Sequence, residues 1–242
     1  MLKKLLFITA FFSFQFTHAA DGPLLNWGMS LPGPNSSTVN ATITDASGDV
    51  YITGSYSGTN VDFDFSSGNS TLTSIGQADV FIAKYSSTGQ LLWLKSIGGT
   101  GYDYAKSLCI SNGNIWLLGS FVGTIDFDPD AGVANGTSLG AQSMFVLKLN
   151  GTSGNYMWHA AFGGFGNTIT SDNSGRILVV GKYSGTFDFD PGAGTTTLTS
   201  AGGDDISFIC LADNGALVTA KSLGGTGNDD ASSVKVGGGA NA

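Results

Sequence analysis

The sequence predicts an all-β fold, a β-propeller built from four-stranded blades. Three observations carry that reading: a composition of turn and strand residues, an internal repeat of about 62 to 66 residues, and strong turn chemistry between apolar runs. The 242 residues include 37 Gly, and all 18 acidic residues are Asp, with no Glu. Lys and Arg total 10, and Arg176 is the single Arg. A chain without Glu and poor in Lys and Arg lacks the residues that build exposed helix faces. Gly, Ser, Thr, Asn and Asp take their place, and these favour turns and strand edges. A hydrophobic fraction of 41% with 16 Phe excludes a disordered chain.

The first element is an export signal over residues 1–20. Lys3 and Lys4 form its positive start, Leu5 to Phe16 its apolar run, and Thr17-His18-Ala19 a small-residue cleavage site, with cleavage expected after Ala19 or one residue later. The run is too short to span a bilayer as a stable helix. The mature domain is then 21–242, secreted or held at the cell surface, with no membrane insertion after cleavage. Loss of Lys3 and Lys4 takes the net charge from −8 to −10. That field disfavours nucleic acid and anionic lipid as partners. It suits a cation, or a neutral ligand such as a glycan. Cys109 and Cys210 can make at most one bridge and occupy different places in the repeat, so they read as small buried hydrophobes.

The repeat defines the remaining elements. Asp49-Val50-Tyr51-Ile52-Thr53-Gly54 recurs as Asn114-Ile115-Trp116-Leu117-Leu118-Gly119 and as Arg176-Ile177-Leu178-Val179-Val180-Gly181, at steps of 65 and 62 residues between the glycines. Each copy is followed by Asp-Phe-Asp: Asp62-Phe63-Asp64, Asp126-Phe127-Asp128 and Asp188-Phe189-Asp190. A hairpin comes next, Val80 to Tyr85 with Leu91 to Gly99, then Met144 to Leu149 with Tyr156 to Gly164, then Ser207 to Leu211 with Ala216 to Gly225. A short strand opens each unit, near Thr38 to Thr44, Ala105 to Ser111 and Asn167 to Ser171. It turns through Asp45-Ala46-Ser47-Gly48, Asn112-Gly113 or Asp172-Asn173-Ser174-Gly175. Each unit is thus four antiparallel strands, the signature of a propeller blade. A lone blade cannot bury both faces, so neighbours must stack. The Phe of Asp-Phe-Asp and Trp27, Trp93 and Trp158 are the natural packing residues between blades.

Trp93-Leu94-Lys95-Ser96-Ile97-Gly98-Gly99-Thr100-Gly101-Tyr102-Asp103, with Gly113-Asn114-Ile115-Trp116 and Gly185-Thr186-Phe187-Asp188-Phe189-Asp190-Pro191-Gly192, resembles the SBBP-type β-propeller repeats of secreted bacterial proteins. The resemblance spans nearly all of Leu24 to Val236. It implies a propeller fold and an extracellular setting, and it brings no catalytic residue with it. Three places depart from the pattern. Trp27 lacks the Lys-Ser-Ile-Gly-Gly context, about three residues are lost after Gly164, and Thr219 stands at the Trp position. The strand count is one closing strand, three full units and one opening strand. A ring therefore needs further blades, from downstream sequence or from another copy.

Two motifs suggest chemistry. Gly98 to Gly101 and Gly224 to Gly227 resemble phosphate-cradling loops, but a strand follows instead of a helix, so they read as turns between blades. If Asp-Phe-Asp is extended strand, its two Asp share a face and its Phe points away. The run Asp126, Asp128 and Asp130 then gives three carboxylates, a start toward a Ca²⁺ site of 6 to 8 oxygens. Asp62, Asp64 and Ser66, or Asp188 and Asp190 with Gly192, give less. The bland reading is a buried Phe with solvated Asp, and no cofactor.

Catalytic material is sparse. His159 is the single mature His and aligns with Leu94 on a strand face, and one Arg excludes an arginine cluster. An Asp pair could run glycoside hydrolysis, yet the same Asp-Phe-Asp in every unit is the mark of a structural repeat.

Strand direction puts the loops between units and the long excursions after Asp-Phe-Asp at one end. That end carries Tyr102, Asp103 and Tyr104, the candidate ligand face for a glycan or protein partner. The expected function is a non-enzymatic surface interaction, adhesion or structural module. The alternative is an extracellular carbohydrate-active enzyme with an Asp pair on the same face.

Overall fold

Period-2 runs bounded by Asp- and Gly-rich turns become strands within residues 37–66 and 68–236, which the computed structural model describes. The export signal, the strand expected near Leu24, and Trp27 lie outside the described residues. No helix occurs among the described residues, and none is long and apolar enough to cross a membrane.

The first unit holds β1 (Ser37–Thr44), β2 (Val50–Tyr56), β3 (Val61–Asp62), β4 (Thr71–Leu72), β5 (Asp79–Tyr85) and β6 (Leu91–Gly99). The second holds β7 (Tyr104–Ser111), β8 (Asn114–Phe121), β9 (Thr124–Asp126), β10 (Asn135–Thr137), β11 (Ser143–Asn150) and β12 (Tyr156–Gly163). The third holds β13 (Phe165–Ser171), β14 (Ile177–Tyr183), β15 (Thr186–Asp188), β16 (Thr197–Thr199), β17 (Asp205–Leu211) and β18 (Leu217–Leu223). Within each unit four long strands pair antiparallel in chain order: β1-β2-β5-β6, β7-β8-β11-β12 and β13-β14-β17-β18. None of these sheets closes on itself.

The turns follow their residues. Asn112 and Gly113 both take positive φ, 50° and 72°, the requirement of a two-residue hairpin. In the longer turns Asp45 accepts from the amides of Ser47 and Asp49 at 2.9 and 3.0 Å. Asp172 accepts from those of Ser174 and Arg176 at 2.9 Å each.

The small hairpins β3–β4, β9–β10 and β15–β16 are the one set of elements that the repeat pattern does not reveal. Their strands are only two or three residues long, too short for a periodic signal. The β9–β10 hairpin crosses to the neighbouring unit, where Gly98 and Gly99 of β6 pair with Asp126 and Ile125 of β9.

The core lies between consecutive sheets. One apolar cluster joins Tyr51, Ile82 and Ile97 of the first unit to Ile115, Leu117 and Phe127 of the second. Another joins Trp116, Val146 and Phe162 of the second to Val179, Phe189 and Ile209 of the third. Trp93 packs edge-on to Tyr51, and Trp158 tilts against Trp116, both at these seams. Strand β7 packs against both β1 and β13, so the opening strands of the units run side by side. Asn40 Nδ2 donates to the Ala105 carbonyl at 2.6 Å, and Asn167 Nδ2 to the Ala231 carbonyl at 2.8 Å, the same step made twice. Cys109 and Cys210 are both buried free thiols.

Candidate functional site

The Asp-Phe-Asp segments show what their carboxylates do. Each short strand β3, β9 and β15 ends at the first Asp, so the two Asp do not share the face of one extended strand. Asp62 Oδ1 accepts from the amides of Asp64 and Ser70 at 2.9 and 3.0 Å. Asp126 Oδ1 accepts from Asp128 and Ala134 at 3.0 and 2.8 Å, and Asp188 Oδ1 from Asp190 and Thr196 at 3.0 and 2.8 Å. The second Asp repeats the pattern one step on: Asp64, Asp128 and Asp190 accept from Ser66, Asp130 and Gly192. Nested side-chain-to-backbone bonds therefore close the loop, as Asp does in turns generally. For Asp188 these amides hold the carboxyl below its usual range.

Phe63, Phe127 and Phe189 are fully buried between their flanking Asp residues. Of the calcium candidates, Asp126 and Asp128 each have one oxygen committed to backbone, and Asp130 is ion-paired with Lys95. Among the described residues, no group of three or more His, Cys, Asp or Glu is arranged to hold a metal ion.

The loop-rich end is assembled as strand direction requires. The Gln77 amide donates to the Gly101 carbonyl at 3.1 Å, and the Asp103 amide to that of Ala78 at 2.8 Å. Tyr102 stands out, 46% exposed, and its ring stacks on Tyr104 with centroids 5.9 Å apart and planes at 11°.

Asp103 is a correction to the expected ligand face. Its side chain is wholly buried and accepts from the Gly99 and Val122 amides at 2.7 and 3.4 Å. It locks the Gly-Gly turn. Burial pushes its carboxyl up to about 6, against the pull of those amides, and Asp79 nearby raises it further. Asp79 is also buried and raised by burial, although the amides of Ile75 and Gly76 oppose the shift. The sequence placed Asp103 by its loop; its spacing four residues after Gly99 is the signal that it caps that turn.

His159 sits on β12 as a strand-face residue. Its Nδ1 lies 2.9 Å from the Tyr156 hydroxyl, and burial lowers its basicity.

A cleft of about 260 Å³ opens at the junction of the second and third units, at the same end as Tyr102. Gln142, Gly164, Phe165, Ser184, Phe187 and Asp204 line it. Phe165 is 43% exposed. The ring of Phe187 lies face-on against the Cα of Gly163, where an added Cβ would stand 2.2 to 2.4 Å from three ring atoms. The carboxylate of Asp204 is 3.1 Å from Lys182 Nζ. The arrangement offers an aromatic surface, an amide, a hydroxyl and a charge-balanced carboxylate. No nucleophile–base pair is built into it. Sequence reasoning pointed to this end and missed the cleft, whose cause is a shortened loop.

No protein-family model matches the chain. The chain is similar to a regulatory protein, FlaEY, of Caulobacter vibrioides, with 29% identity over 184 residues that cover 71% of this chain and 18% of that protein. The chain thus spans less than a fifth of that relative's length.

Proposed function

We propose that the chain is an exported, non-enzymatic β-propeller repeat protein that acts as a surface interaction module. In this reading the three four-stranded sheets are blades, with β1, β7 and β13 innermost. Further blades come from additional sequence or from a second copy. The resemblance to SBBP-type repeats supports both the fold and the extracellular address.

One observation carries the non-enzymatic reading. The carboxylates that could form a catalytic Asp pair recur in all three units, and each uses Oδ1 to hold its own loop. A catalytic pair would differ from its counterparts in the other units, because chemistry needs one site. Exposed loops on a rigid stacked scaffold instead suit recognition.

The test is expression of the full chain in a bacterial host, followed by fractionation and exposure of the purified product to immobilised polysaccharides. The expected product lacks the first 19 or 20 residues, leaves the cytoplasm, and binds without releasing reducing sugar. An unprocessed cytoplasmic product overturns the export reading, and sugar release overturns the non-enzymatic one.

A further inference from the structure

We propose that the cleft between the second and third units is a binding site for a single neutral pyranose, such as the terminal residue of a glycan. The inference rests on the surface-interaction reading and gives that surface a place and a ligand class.

The cleft exists because one loop breaks the repeat. Ser143 pairs with Gly163, and one step beyond the pairs Val80–Ile97 and Ile206–Leu223 come Gly98 and Gly224, at the equivalent position; Ala105 and Gly166 are likewise equivalent, opposite Gly119 and Gly181. Seven positions separate Gly98 from Ala105, but only three separate Gly163 from Gly166. At the other two junctions the longer loop folds over the segment before the third long strand. Gln77 donates to Gly101 and Asp103 to Ala78, and in the same way Gly203 donates to Gly227 and Asp229 to Asp204. The glycines beneath are covered: a Cβ on Gly76 would meet Thr100 at 2.6 Å, and one on Gly202 would meet Thr226 at 2.4 Å. Their counterpart, Gly140, has nothing within 4 Å of that point. The shortened loop thus leaves the segment from Gly140 to Gln142 uncovered, and this is the floor of the cleft.

The lining selects the ligand. A volume of about 260 Å³ falls below the range typical of drug-sized ligands, and suits one sugar ring. Phe165 and Phe187 supply ring surface for the apolar C–H face of a pyranose. Gln142, Ser184 and Asp204 supply donors and acceptors for hydroxyl groups. Asp204 already has Lys182 as its counter-charge, so the cleft does not call for a cation. The net charge of −8 disfavours an anion. A neutral polyol with one apolar face meets all of these conditions.

The test is saturation-transfer NMR on the full chain with the methyl pyranosides of glucose, galactose, mannose and N-acetylglucosamine. At least one should give transfer at millimolar concentration. Gly140→Leu should abolish it by filling the cleft, since the site has room for a side chain and no positive φ. Phe165→Ala should weaken binding at least tenfold. Ser174→Ala, at the opposite end, should leave it unchanged. Circular dichroism checks that each variant is folded, and Phe165→Ala decides the matter if Gly140→Leu is not. Transfer that survives both cleft variants overturns the cleft and leaves the surface-interaction reading standing. No transfer from any of the four sugars overturns the pyranose assignment, and failure of polysaccharide binding as well overturns the wider reading.

Discussion

The imidazole of His159 lies flat on the ring of Phe127, with centroids 4.3 Å apart and planes at 23°. In the first unit the same strand position is Leu94, so the imidazole fills an apolar place. Burial makes it less basic than a free His, with Asp126 opposing that shift. The unfolded chain therefore binds the proton more tightly, and stability falls as pH drops below the unfolded value of about 6.5. His159→Leu should flatten that loss between pH 7 and 5 while changing stability at pH 7.5 by less than about 1 kcal/mol, the worth of the Tyr156 hydrogen bond. Thermal denaturation at the two pH values checks this. An unchanged slope would show that His159 does not carry it.

Asp103 works in the opposite direction. Its folded value of about 6 lies above the unfolded value of about 3.9. The folded state binds the extra proton, so this contribution is greatest below pH 3.9 and is lost as pH rises to 6. Asp103→Asn removes the buried charge and keeps one acceptor for the Gly99 amide. Its unfolding midpoint should depend less on pH between 4 and 7, with a gain on the order of 1 kcal/mol at pH 8 relative to pH 4. A variant as pH-dependent as the parent would refute the assignment.

Calcium should bind weakly at most at Asp126, Asp128 and Asp130, because backbone amides and Lys95 already engage these carboxylates. Calorimetric titration of the full chain and of Asp128→Ala should give equal, small heats. A rise of several degrees in the parent's melting temperature with millimolar calcium, absent in the variant, would establish a site there.

Gly119→Ala should cost about 3 kcal/mol, because a Cβ there meets the Phe145 ring at 2.3 Å and the Tyr104 carbonyl at 2.4 Å. Neither the ring, locked by Phe121 and Phe127, nor the strand backbone can withdraw cheaply. Urea unfolding measures the loss. A change under 1 kcal/mol would mean that the seam relaxes.

Phe189→Ala should cost about 3 to 5 kcal/mol by opening a cavity against Tyr183 and Phe162. Exposed Phe165→Ala should cost less than about 1 kcal/mol. The contrast separates core from cleft aromatics in one denaturation series.

The long strands were legible because their period-2 runs end in turn residues, and β2, β8 and β14 fall within a residue or two of the repeated Val-Tyr-Ile-Thr-Gly pattern. The small hairpins were not, because hydrogen bonds that Asp62, Asp126 and Asp188 accept from amides eight residues on tie them together, and no apolar period marks them. The candidate face was legible at the level of which end, since strand direction alone decides it. Whether a given side chain there points outward was not. Tyr102 and Asp103 are neighbours in sequence, yet one is exposed and the other buried, because the Gly-Gly turn consumes the carboxylate.

The pairing of β9 with β6 sets an order of events during synthesis. The outer strand of the first unit gains its neighbour only after the second unit's hairpin has emerged. Until then Gly98 and Gly99 at the end of β6 present free backbone groups on that edge, the feature that recruits stray strands. The second unit's hairpin thus shelters the end of the strand made before it. A chain that has emerged only as far as Gly113 leaves Gly98 and Gly99 unpaired on that side, and one that has emerged beyond Thr137 does not.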